Sequence, residues 1–196
     1  NQLRNKRIDA GRLNLVAQRE RRLFQEPDTE KKMSGRPTVG LNRSFMTHAY
    51  LPFYRRFFSE LGFDVILPDE LDPDGVDQQG AAFCFPAELA HGYAAALLKL
   101  KPDYVFVPHI GGVRAAEGDD QACTCVFVQG EPYYLHAAFP EFAGERTLRP
   151  YLDFSKGLEF NANALESVAE TLIGSRRAAR AAAEAAWAEQ EAFRED

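Results

Sequence analysis

Cysteines and histidines are the side chains of this sequence that could bind metal or attack an electrophile; there are three of the first and four of the second. Cys84 opens the run Cys84-Phe-Pro-Ala-Glu-Leu-Ala-His-Gly92. Pro86 suits the first turn of a helix, so the order predicts a sulfur at that helix's positive end. A helix start favours the thiolate, the form that ligates metal or acts as a nucleophile. A small buried apolar residue would serve equally well as a reading of Cys84 alone. Glu88 and His91 follow at helical spacing and are expected on one face, turned toward Cys84, either supporting it or as a hydrogen-bonded core pair. His109 directly follows the apolar run "DYVFVP" and precedes two glycines that allow close backbone approach. Cys123 and Cys125, two apart, point to the same face if they lie on a strand. That spacing does not reproduce the paired knuckles of a zinc finger.

These residues need a frame that brings them together. "TVGLN" (38–42), "FDVILP" (63–68), "DYVFVP" (103–108) and "CTCVFV" (123–128) read as strands. Between them, Leu51, Tyr54, Phe57, Phe58 and Leu61 recur at helical spacing, with Pro52 expected in the first turn. Leu89, Tyr93, Leu97 and Leu100 make a second stripe, and a further helix is expected around 132–141. Asn163 and Glu166 resemble a capping box, Gly174 a helix stop, and an alanine-rich helix should run from Ser175 to about Phe193. The alternation predicts an α/β fold: an open, mostly parallel Rossmann- or flavodoxin-like sheet with helices on both faces, plus N- and C-terminal helices. The expected divisions are a helical, basic segment over 1–35, the α/β domain over 36–160, and C-terminal helices over 161–196. Ligands in such sheets bind beyond the carboxyl ends of the strands. The candidate loops 42–48, 68–84, 108–122 and 129–131 therefore bring in Asn42, Arg43, Ser44 and His48 as ligand-loop residues.

Bulk composition narrows the classes. A 45% hydrophobic, 27% charged chain is of ordinary globular type. Residues 1–36 carry net charge +5 and the remainder −11. An acidic globule without aromatic–basic interleaving predicts no nucleic-acid partner. Apolar runs far shorter than a membrane span predict no membrane partner and a cytoplasmic location. Asn1 at the start, where a complete chain has Met, suggests a piece of a longer protein. An odd cysteine count does not read as a disulfide framework. No GxGxxG, Walker, GxSxG or HExxH motif is present.

The segments "VGLNRSFMTHAYLPFYRRFFSELGFDVILPDE", "CFPAELAHGYAAALLKLKPDYVFVPHI" and "CVFVQGEP" together resemble the domain following the ATPase modules of CoA-substrate-specific enzyme activases. These are relatives of the 2-hydroxyglutaryl-CoA dehydratase activators, and the domain is similar to the iron–sulfur subunits of 2-hydroxyacyl-CoA dehydratases. The resemblance spans roughly residues 37–142 and is most specific at Cys-Phe-Pro…His-Gly. It implies iron–sulfur-associated electron transfer toward CoA-thioester chemistry, with Cys84 and Cys125 as cluster ligands. Where some relatives have a further cysteine, this chain has His109; where relatives often have proline after the second cysteine, it has Val126. A 4Fe-4S cluster wants four ligands, so Cys123, His109 or a second chain would complete the shell. His91 and Glu88 are the expected supporting residues. Implied partners are ATPase modules of the same or a partner chain, a dehydratase-type protein, and a second copy in a homodimer. Two other readings stay open: a non-catalytic interdomain or dimerisation scaffold, and a thiol enzyme using Cys84 with His91 or His109 as base.

Overall fold

The computed structural model describes residues 14–24, 35–80, 84–115 and 122–195, in two units, residues 1–34 and 35–196. In the first unit the described segment is helix α1 (Leu15–Phe24). Asn14 caps it, its side-chain oxygen accepting from the Ala17 N–H at 3.0 Å. Of the helical, basic segment expected over 1–35, residues 1–13 and 25–34 lie outside the described residues.

The second unit runs β1 (Thr38–Leu41), α2 (Thr47–Glu60), β2 (Asp64–Ile66), α3 (Pro73–Val76), α4 (Phe85–Lys99), β3 (Tyr104–Phe106) and β4 (His109–Gly112). It continues with α5 (Val126–Gln129), α6 (Glu131–Ala138), β5 (Thr147–Leu148), β6 (Tyr151–Asp153), α7 (Gly157–Ile173) and α8 (Arg176–Glu195). Four strands form a parallel sheet in the order β2-β1-β3-β5. Val39 of β1 pairs with Val65 on one side and Tyr104 on the other. A small parallel pair, β4–β6, stands apart. The chain moves from β1 to opposite sides in reaching β2 and β3, so their connecting helices cover opposite faces. Alternate residues of β3 confirm this two-sided burial. Phe106 meets the Tyr54 and Phe58 rings of α2, whereas Val105, with Val107 just past the strand, packs with Ala94 and Leu97 of α4 and Leu135 of α6.

The α/β expectation holds, and several local readings are corrected. The segment 123–128 is no strand. Cys123 makes one isolated antiparallel bridge to Gly112, and Val126–Gln129 is helical. The place beside β3 is taken by β5, from a stretch without sequence periodicity. Cys123 and Cys125 are therefore not neighbours on one strand face. His109 begins a strand rather than a loop. On α4 the buried stripe is Ala87, Ala90, His91, Ala94 and Leu97, while Leu100 is exposed. Small residues are needed there because α3 presses close: a Cβ on Gly92 would meet Leu71 Cγ at 2.6 Å, and one on Gly75 would meet Ala95 Cβ at 2.4 Å. Asn163 lies inside α7, which starts six residues earlier at Gly157, so it caps nothing. Gly174 does end that helix, in the left-handed conformation.

Pro52 is interior to α2, which begins at Thr47, rather than in its first turn. Proline removes a backbone donor and crowds the preceding turn. Next to it, the Gln190 amide of α8 donates to the Ala49 carbonyl at 3.0 Å and accepts from the Phe53 N–H at 3.4 Å. A regular helix would join those two backbone groups to each other. Trp187 packs edge-on against Phe53 and stacks on Phe154, and Ala179, Ala182, Ala183 and Ala186 are buried. The apolar face of α8 is thus used inside its own unit. Gln190 is 1% exposed, so Gln190→Ala should lower unfolding free energy by roughly 1–3 kcal/mol, the cost of buried groups left unpaired. Urea denaturation checks this; a change within about 0.5 kcal/mol would mark the contact as incidental.

Candidate functional site

In a parallel sheet every strand ends, and every following helix starts, on the same edge. Three chain segments meet at that edge. Asn42 directly follows β1, Cys84 directly precedes α4, and Glu131 begins α6 after the single connector Gly130. Asn42 is 3% exposed. Its side-chain nitrogen donates to the Ala90 carbonyl of α4 at 3.1 Å and to Glu131 Oε1 at 2.8 Å. The Ser44 hydroxyl donates to the same Glu131 oxygen. One carboxyl and one amide thereby tie β1, α4 and α6 together.

Burial dominates the electrostatics of this knot. It raises the Glu131 carboxyl to about 7, against the smaller opposing effect of the Ser44 and Asn42 hydrogen bonds. The Tyr54 and Tyr134 hydroxyls are buried and unpaired by hydrogen bonds. Burial pushes both well above the ordinary phenol range, and the nearby Glu131 charge pushes further. Asn42 Oδ1 also has no hydrogen-bond partner.

The thiols lie on the segments that lead into α4 and, through α5, into α6. Cys84 is the N-cap residue of α4 and Cys125 that of α5, each without a side-chain capping bond. Both lie within electrostatic reach of the Tyr134 hydroxyl. Cys84 is half-buried, whereas Cys123 and Cys125 are exposed, and all three are free thiols. The residues that follow the two capping cysteines, Phe85 and Val126, are 67% and 75% exposed. His91 is buried, with Nδ1 2.7 Å from the Ala87 carbonyl and its ring stacked on Tyr134. It holds α4 against α6, while Glu88 is half-buried on the neighbouring turn. His109 sits at the start of β4, its Nδ1 2.9 Å from the Gln129 carbonyl and its ring beside Tyr133. Gln129 in turn donates to Cys123 Sγ at 3.2 Å and to the Thr124 carbonyl at 2.7 Å. Arg43 turns to the Asp69 carbonyl and the Tyr93 ring. His48 is half-buried in the first turn of α2.

Among the described residues no group of three or more His, Cys, Asp or Glu side chains is placed to hold a metal ion. A cleft of about 390 Å³ between the β5–β6 segment and α7, lined by Thr147, Arg149, Tyr151 and Ser167 among others, contains neither the thiols nor Glu131. Glu131 and Tyr134 are the residues that sequence reasoning missed. The available signal was slight: Glu131 falls in the strand-end loop 129–131, just ahead of a proline.

Residues 38–196 match the family model described as the CoA enzyme activase uncharacterised domain, and the chain belongs to that family. No curated protein and no solved structure gives a match. No helix among the described residues is long and apolar enough to cross a membrane.

The buried carboxyl makes a pH signature. Between the ordinary glutamate value and about 7, folded protein keeps a proton that the unfolded chain releases. Stability is therefore greatest at low pH and falls as pH rises, by about 3 kcal/mol in all from this group. Urea denaturation between about pH 5 and 8 should show most of that fall in the parent protein and not in Glu131→Gln. Parallel pH profiles for the two proteins would contradict it.

Proposed function

We propose that this activase-family domain serves electron transfer toward CoA-thioester chemistry, through an iron–sulfur cluster held in part by Cys84 and Cys125. The observation that carries the reading is that these two thiols, distant in sequence, each stand at the N-cap of a helix and both act electrostatically on the buried hydroxyl of Tyr134. Cluster iron is held chiefly by thiolates, and a cubane takes four protein ligands. The donor set fits half of that shell. Cys123 and His109 are not grouped with them, so the other ligands would come from a second copy or from an ATPase-bearing or dehydratase-type partner. Exposure of Cys125, Phe85 and Val126 suits a shared site, since a partner covering the rim would also remove water from it. Bound there, a cluster would supply one-electron chemistry. The chain's own contribution is to present two sulfurs at helix starts, on segments whose helices α4 and α6 are joined by the His91–Tyr134 ring stack.

Anaerobic reconstitution with ferrous iron and sulfide tests the reading. Sulfur-to-iron absorption should appear in the parent protein, with bound iron shared between two chains or between chain and partner. It should be lost in Cys84→Ser and in Cys125→Ser. Iron and sulfide contents unchanged by either substitution, or a colourless protein after reconstitution with its partners present, would overturn the proposal and favour a non-catalytic scaffold.

A further inference from the structure

The buried knot and the two thiols share a geometric relation that the cysteine motif alone does not contain. Cys84 lies six residues before Ala90, and Cys125 lies six residues before Glu131. Ala90 and Glu131 are the two acceptors held by one amide nitrogen, that of Asn42. Each thiol is therefore a short helical run from the same fixed point, about 9 Å of helix on the α4 side. On the other side the run passes through α5 and Gly130, whose N–H bonds the Val126 carbonyl at 2.8 Å. Ala90 lies in the second turn of α4 and Glu131 opens α6, so the amide ties the helix that Cys84 leads into to the helix that follows the Cys125 turn.

We propose that Asn42, Glu131 and Ser44 are positioning residues: they set the separation of the Cys84 and Cys125 thiols at the rim of the sheet. This rests on the rim being the functional site, as proposed above, but its test needs no cluster. Two properties make the knot suitable. It is buried, so water does not compete for its hydrogen bonds. Among the described residues no charged side chain contributes to the shift of its carboxyl. The groups facing the carboxyl are Asn42 and Ser44 from the end of β1, the Tyr54 hydroxyl from α2 and the Tyr134 hydroxyl from α6. Alpha-helix α4 contributes its Ala90 carbonyl through Asn42.

The experiment uses reduced, metal-free protein carrying Cys123→Ser, so that only Cys84 and Cys125 remain. A short bis-maleimide bridges the two thiols, and mass spectrometry counts the bridged product while circular dichroism monitors folding. The parent should bridge readily. Glu131→Gln keeps an oxygen acceptor for Asn42 and Ser44 and should bridge at the parent rate. Glu131→Ala should slow bridging roughly tenfold, the scale on which loss of fixed geometry shows in a two-group reaction. Asn42→Asp keeps the shape but faces one carboxyl with another; its bridging should be slow at alkaline pH and recover on acidification, once corrected for the pH dependence of single-thiol alkylation. If Glu131→Ala fails to fold, Asn42→Asp carries the test through this pH dependence. A parent that does not bridge, or a folded Asn42→Asp or Glu131→Ala protein that bridges at the parent rate at all pH values, overturns the proposal. Iron incorporation without any such effect would leave the cluster reading standing and this one refuted.

Discussion

Asn42 occupies the position where a parallel sheet of this topology opens its ligand crevice, just past the carboxyl end of β1. Its amide nitrogen reaches one acceptor on α4 and one on α6. Buried hydrogen bonds of this kind contribute modestly when made and cost more when one partner is removed. A carboxyl so placed is also costly to ionise, which is why Glu131 retains its proton to about 7. The arrangement links strand end, helix start and proton affinity in a single physical object.

The rest of the second unit can be seen as support for that object. Alanine and glycine in the middle of α4 let Leu71 and α3 approach closely. Leu135 of α6 and Phe139 just after it share a core with Ala94 and Leu97. On the opposite face, α2 is held by α8 through rings and through Gln190, which serves the backbone beside Pro52. The thiols stand above this scaffold with apolar neighbours exposed beside them.

Much of this was legible in the residues. Strands β1, β2 and β3 announced themselves as short apolar runs between helical stripes, and the parallel class followed from alternation alone. "CTCVFV" was misread because β-branched residues in a short run suit a strand, whereas the local bonds to the Cys125 carbonyl from Val128 and Gln129 make a turn of helix. Strands β5 and β6 are two and three residues long, too short to show a period. Leucine spacing misplaced the buried face of α4 because close packing there selects alanine over leucine. Cys84, Cys125 and His91 were visible by residue type. Glu131 was not, because burial is a tertiary property: a glutamate beside a glycine and a proline reads as a solvated helix start until the chain folds over it.

The most direct measurement is of the carboxyl itself. Infrared difference spectroscopy across a pH titration, comparing the parent with Glu131→Gln, isolates the protonated C=O stretch of this one residue. The account predicts a band present at acidic pH that fades with a midpoint at about 7. A midpoint at the ordinary glutamate value of about 4.3, or no band assignable to Glu131, would mean that water reaches the carboxyl and that the knot joining the strand to its two helices is not closed.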